Sequence, residues 1–284
     1  MSKVLACIDG SIYTESVRDH AIWAAQRLTA PLEFLHVLER HPETASAHDY
    51  SGNIGLDAQA NLLSELATLD EARSKLALRR GRALLEHATG EAKARGVEPT
   101  ESRLRHGALV DTLTDLEQDV RLVVIGKRGE HANFATMHLG RELERVARAL
   151  HRPILVASRS FKAIKRILFA FDGSDTTRKG IEKIAGSPLL KDMACHLVMA
   201  GSESPAHREQ LQWAGDTLTT AGFEVHAELL PGAADTVIHQ YVTSNAIDLL
   251  VMGAYGHSRV RQLIIGSTTT AMVRTCLIPV LLLR

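Results

Sequence analysis

Val4-Leu5-Ala6-Cys7-Ile8-Asp9-Gly10-Ser11 is written a second time, as Ile167-Leu168-Phe169-Ala170-Phe171-Asp172-Gly173-Ser174. Two more apolar runs recur in the same order. Leu122-Val123-Val124-Ile125-Gly126 returns as Leu249-Leu250-Val251-Met252-Gly253, and Arg152-Pro153-Ile154-Leu155-Val156 as Ile278-Pro279-Val280-Leu281-Leu282. Three matched runs in one order mark a domain written twice. The halves are residues 1–158 and 163–284, joined near Ser158–Ala163.

Each run is short, rich in Leu and β-branched residues, and lacks polar alternation, which suits parallel strands buried on both faces. Helical patterns lie between them. In the second half Thr176–Leu190, Pro205–Ala221, Ala234–Asn245 and Thr268–Cys276 read as helices, with strands near Cys195–Ala200 and Glu224–Leu230. Such alternation predicts an α/β fold: two tandem doubly wound domains, each with a five-stranded parallel sheet in the order 3-2-1-4-5. The first half differs after its second strand, Leu32–Val37. A Gly/Ser/His-rich stretch, His41–Gly55, leads into a long helical pattern from about Ala58 to Arg95, with Leu62, Leu63, Leu66, Leu69, Leu76, Leu84 and Leu85 at roughly helical spacing. This insertion reads either as a longer helix covering the sheet or the other half, or as a partner-binding arm.

The 284 residues contain 33 Lys+Arg and 33 Asp+Glu, so the formal net charge is zero. Residues 1–158 carry 20 basic and 22 acidic side chains, residues 159–284 carry 13 and 11. Neither half is a basic domain, which argues against a nucleic-acid partner. Cys7, Cys195 and Cys276 stand apart in apolar runs without a CxxC pair, as buried free thiols in a reducing compartment do. No apolar stretch reaches the roughly 18 residues of a membrane span, and the N-terminus enters a strand pattern instead of a signal peptide. A cytoplasmic protein without a membrane partner is the expectation.

Chemistry concentrates in the second half. Gly253-Ala254-Tyr255-Gly256 is followed by nine residues and then Gly266-Ser267-Thr268. Gly253 closes a strand and Thr268 opens a helix, so backbone N–H groups of residues 266–268 would point from a helix N-terminus at phosphate oxygens. Glycines let the backbone come close to such a ligand. A tight turn with a Ser/Thr cap would also explain the pattern without a ligand. Asp172 ends the first strand of this half. In doubly wound sheets ligands bind beyond the carboxyl ends of the strands where the order reverses, between strands 1 and 4, and those strands carry Asp172 and Gly253. Asp172 is thus a candidate for a ribose hydroxyl, an adenine amino group or a magnesium ion on the phosphates. A turn or capping role is the plainer reading of the same residue.

On these residues the sequence resembles the universal stress protein family in its tandem form, over essentially the whole chain. The carriers are Asp-Gly-Ser after the opening strand of both halves, the Gly253/Gly256/Gly266-Ser267 loop, and the endings His151–Val156 and Leu277–Leu282. The resemblance implies adenine nucleotide alpha hydrolase-like domains packed as an intrachain pseudo-dimer, and ATP as the ligand, with Mg2+ as a possible companion at Asp172. It further implies that Ala170, Phe171 and Asp172 line the adenine and ribose side, and that backbone near Ala200 pairs with the adenine edge. Met252, Gly253, Gly256, Gly266, Ser267 and Thr268 would hold ribose and phosphates, with His257, Arg259 and Arg261 within reach of phosphates or simply solvated. The apolar terminal strands invite pairing of the two halves. A second copy of the chain is a further expected partner.

The first half departs from the pattern. Gly126-Lys127-Arg128-Gly129 is intact, but ten residues precede Gly140, and Arg141 and Glu142 follow it. A glutamate where phosphate should sit predicts a degenerate nucleotide loop, with Lys127 and Arg141 left to recruit a different anion or none. No P-loop, dinucleotide fingerprint, nucleophile elbow or spaced zinc ligands occur. His257 is the sole candidate for a catalytic base and no catalytic residue is assigned. The expected role is a stress-response protein that binds ATP or another adenine nucleotide in its second half and signals through conformation or assembly. A nucleotide-independent interaction module and a slow ATPase remain the alternatives.

Overall fold

The computed structural model describes residues 2–38, 56–127, 141–254 and 267–284. In the first half the strands are β1 (Lys3–Cys7), β2 (Leu32–Leu38), β3 (Thr100–His106), β4 (Val120–Gly126) and β5 (Ile154–Ala157). Its helices are α1 (Thr14–Leu28), α2 (Leu56–Ala94), α3 (Leu109–Leu116) and α4 (Arg141–Ala149). The second half repeats the plan with β6 (Arg166–Ala170), α5 (Asp175–Ala185), β7 (Ala194–Ala200), α6 (Pro205–Thr220), β8 (Val225–Leu230), α7 (Ala234–Ser244), β9 (Leu249–Gly253), α8 (Ser267–Thr275) and β10 (Val280–Leu283).

The ten strands of the described residues form one sheet in the order β3-β2-β1-β4-β5-β10-β9-β6-β7-β8. Each half therefore has the expected order, and every pairing within a half is parallel. The halves join where β5 and β10 run antiparallel, with Val156 opposite Val280, Leu155 opposite Leu281 and Ile154 opposite Leu282. These six side chains are buried, each contributing roughly 1.5–3 kcal/mol over an exposed position. Two apolar cores lie on opposite faces of the sheet, and each crosses the seam. One gathers α1, the C-terminal part of α2, α5 and α6; the other gathers α3, α4, α7 and α8.

The reading of Thr176–Leu190 as one helix is corrected. α5 ends at Ala185 with Gly186 as its cap, and Pro188–Leu190 form a separate 3-10 turn. Pro188 lacks the N–H a helix needs and disfavours helical backbone at Ser187, whose hydroxyl instead accepts from the Leu189 N–H. In the insertion, Leu85, Ala88 and Ala92 recur on one face of α2 and are buried on the sheet. From Ser64 to Leu76, however, every residue but Asp70 is exposed. Among the described side chains of α2, only those of its C-terminal part cover the sheet. No described helix is long and apolar enough to cross a membrane.

Candidate nucleotide site

β6 ends in a turn that its own sequence builds. The Phe171 N–H still bonds the Val198 carbonyl, and the chain then folds at Asp172, whose Oδ1 accepts from the Ser174 N–H at 3.0 Å and the Thr177 hydroxyl at 2.7 Å. Gly173 sits at φ +72°, the left-handed region open to glycine. Ser174 caps α5 by accepting from the Thr177 N–H. The turn and capping role of Asp-Gly-Ser is thus realised. Its surroundings come from residues the sequence did not flag: Arg178 donates to the Gly173 carbonyl at 3.2 Å and lies 4.9 Å over the Trp213 ring, beside Phe171. The first half makes the same turn, with Asp9 Oδ1 accepting from the Ser11 N–H at 3.0 Å and Gly10 at φ +78°. There Arg80 of α2 reaches across to the Gly10 carbonyl at 3.4 Å.

The neighbouring strand supplies the other wall. Met252 pairs with Ala170, so the ends of β6 and β9 stand side by side at about 4.8 Å. The Thr269 hydroxyl donates to the Gly253 carbonyl at 3.0 Å, fixing the first turn of α8 against the end of β9. The unpaired N–H groups of that turn are the donors an anion would use. Ala200 ends β7, one strand beyond β6, opposite Leu230 of β8. The structure therefore brings Ala170, Phe171, Asp172, Met252, Gly253 and Thr268 together at the carboxyl ends of two interior strands, with Ala200 adjacent. Gly256, His257 and Gly266 lie outside the described residues, as do Arg259 and Arg261, and Ser267 is described by its backbone alone. Among the described residues no group of three His, Cys, Asp or Glu side chains could hold a metal ion. Asp172 offers magnesium one hard carboxylate.

At the matching place in the first half Lys127 follows Gly126, but its side chain is buried and its ammonium donates to the Cys276 carbonyl at the end of α8. A lysine considered as an anion ligand from sequence instead ties the first half to the second. In the first turn of α4, Glu142 accepts from Arg145 at 3.1 Å. On the outer strand β8, Glu228 accepts from Tyr241 at 2.6 Å; Tyr241 stands 3.0 Å from His196 Nδ1, and His226 Nε2 lies 2.8 Å from Glu228. Burial first, then His226 and Arg166, holds the His196 imidazole below its ordinary pKa; burial and Glu228 push the Tyr241 phenol up. This cluster couples α7 to β7 and β8. Its members gave no motif because Tyr241 stands 13 residues from Glu228 and 45 from His196.

The universal stress protein family model matches residues 1–158 and 163–284. A universal stress protein from Synechocystis is 38% identical over 287 residues, covering 100% of both chains. Among solved structures, a universal stress protein from Archaeoglobus fulgidus aligns with a TM-score of 0.69 at 18% identity, over 99% of this chain and 97% of that one. A functionally unknown protein from Pseudomonas aeruginosa aligns at 0.61 and 16%, over 100% and 92%. At these identities the two structures bear on the fold alone.

Proposed function

The chain belongs to the universal stress protein family, and from that premise we propose that its second half binds ATP or another adenine nucleotide at the carboxyl ends of β6 and β9, beside α8. The observation that carries the reading is the Thr269–Gly253 bond, which sets the N-terminal turn of α8 at the end of β9, and β9 pairs with β6, the strand that leads into Asp172. In this reading Ala170, Phe171 and Asp172 meet adenine and ribose, backbone near Ala200 meets the adenine edge, and Met252, Gly253, Thr268 and the backbone of Ser267 meet ribose and phosphates. Gly256, His257 and Gly266 are assigned to the same ligand from the sequence pattern, and magnesium on the phosphates would take the Asp172 carboxylate. The first half, with Lys127 engaged on Cys276 and Glu142 in the first turn of α4, acts as a structural partner. The output is a change of conformation or assembly.

One observation favours a second reading, a nucleotide-independent interaction module. Asp-Gly-Ser makes the same Asp-to-Ser backbone bond in both halves, so this motif is explained by the turn without any ligand. The experiment is to release small molecules from freshly purified protein by heat and identify them by mass, then to follow melting with added ATP. An adenine nucleotide at about one per chain, and a stabilisation by ATP that is lost in Gly266→Asp, support the site. No nucleotide and no shift favour the interaction module.

A further inference from the structure

We infer that the exposed part of α2 is a self-association arm that pairs antiparallel with the same segment of a second copy of this chain. The segment Ser64–Leu76 rises about 20 Å as helix with almost no burial by its own sheet. The docked C-terminal part of α2 nucleates this segment, so it continues as helix while the leucines it carries stay uncovered by its own sheet. Its apolar residues are moreover spaced for a helical partner. Leu66, Leu69 and Leu76 are separated by three and seven residues, the a/d spacing of a coiled-coil seam, and are 44%, 54% and 63% exposed. Arg73 takes the remaining seam position.

The charges choose the partner and its direction. Glu65 and Arg79 flank the seam on one side and Asp70 flanks it on the other. In a parallel pair, Arg73 would meet Arg73 in the seam, and Glu65 would meet Asp70 of the second copy; both contacts are repulsive. In an antiparallel pair centred near Glu71, Leu66 meets Leu76 of the second copy, and Leu69 meets the aliphatic stem of Arg73. Glu65 then meets Arg79 of the second copy, twice by symmetry. The two Asp70 carboxylates face each other at the centre, each with its own Arg73 guanidinium at 4.0 Å. The pattern is self-complementary in one direction only, which a second copy satisfies and an unrelated apolar surface does not. At the base of the arm Arg80 bonds the Gly10 carbonyl, so pairing is anchored next to the Asp9–Ser11 turn.

The test is the mass of the full chain in solution by sedimentation and light scattering. The expected result is a dimer in which Leu69→Glu weakens association by about tenfold or more, as loss of a seam leucine should. Glu65→Arg alone should weaken it about tenfold by turning two attractive pairs repulsive, and Glu65→Arg with Arg79→Glu should restore it. These sites are exposed, and the double variant guards against an effect of misfolding. A wild-type chain that is monomeric at every concentration overturns the proposal, and so does a dimer indifferent to Leu69→Glu. A double variant no tighter than Glu65→Arg alone overturns the antiparallel pairing.

Discussion

At the scale of single residues, Asp172 has two roles that substitution separates. Its Oδ1 holds the turn through Ser174 and Thr177, and an asparagine oxygen can accept the same two bonds. Asp172→Asn is therefore expected to unfold near the wild-type urea midpoint, while ATP-dependent stabilisation in magnesium falls because the charge is gone. Asp172→Ala should lose both. Gly173→Ala is a different kind of change. Its Cβ would displace the Gln210 side chain, which can swing away, so the left-handed backbone sets the cost at about 1–2 kcal/mol, seen as a lower urea midpoint. The thiols give a prediction with a pH sign. Burial pushes Cys7 and Cys195 from the ordinary 9.0 up to about 12. The unfolded chain then loses these protons first as pH rises, so stability is full below pH 9 and declines between 9 and 12. Alkylation at neutral pH should label no cysteine in the native protein and all three after denaturation, read by mass.

At the scale of elements, α2 shows what a sequence pattern carries and what it omits. Its extent was legible, since Leu and Ala recur at helical spacing from residue 58 to 95 and the observed helix is Leu56–Ala94. That its two parts meet different surroundings was not legible, because leucines at seam spacing look alike whether they face a sheet or another chain. Two of its glycines make the difference measurable. Gly90 has no atom within 4 Å of an added Cβ, so Gly90→Ala should gain about 0.5–1 kcal/mol of helix propensity. At Gly81 an added Cβ would lie 2.6 Å from the His36 ring, which is buried and bonded to the Ile8 carbonyl at 2.7 Å. Moving that ring leaves a buried polar group unpaired, at about 1–3 kcal/mol, which outweighs the same propensity gain. Thermal melting of the two variants should shift in opposite directions.

At the scale of the whole molecule, the fold was legible because strands buried on both faces leave continuous apolar runs, and duplication displays each run twice. The candidate site was legible only in part. Asp172, Gly253 and Thr268 announce themselves locally, whereas Lys127 on Cys276 and Arg178 over Trp213 join residues 149 and 35 positions apart and follow from packing alone. The same packing removes the independence of the two halves. Leu155 and Leu281 face each other across the seam within one core, and Val156 and Val280 within the other, so neither half has a core to itself. Unfolding should therefore be cooperative across the whole chain despite its two family matches. The two tryptophans make this testable, because Trp23 lies in α1 and Trp213 in α6, one to each half. Trp23→Phe leaves a reporter of the second half and Trp213→Phe a reporter of the first, and their urea transitions should coincide. Leu155→Asp, which puts a carboxylate at a seam position only 1% exposed, should destabilise the chain and pull the two transitions apart. Transitions already separate in the unmodified seam would mean that β5 and β10 join two independent domains, and the shared cores would then carry little of the stability.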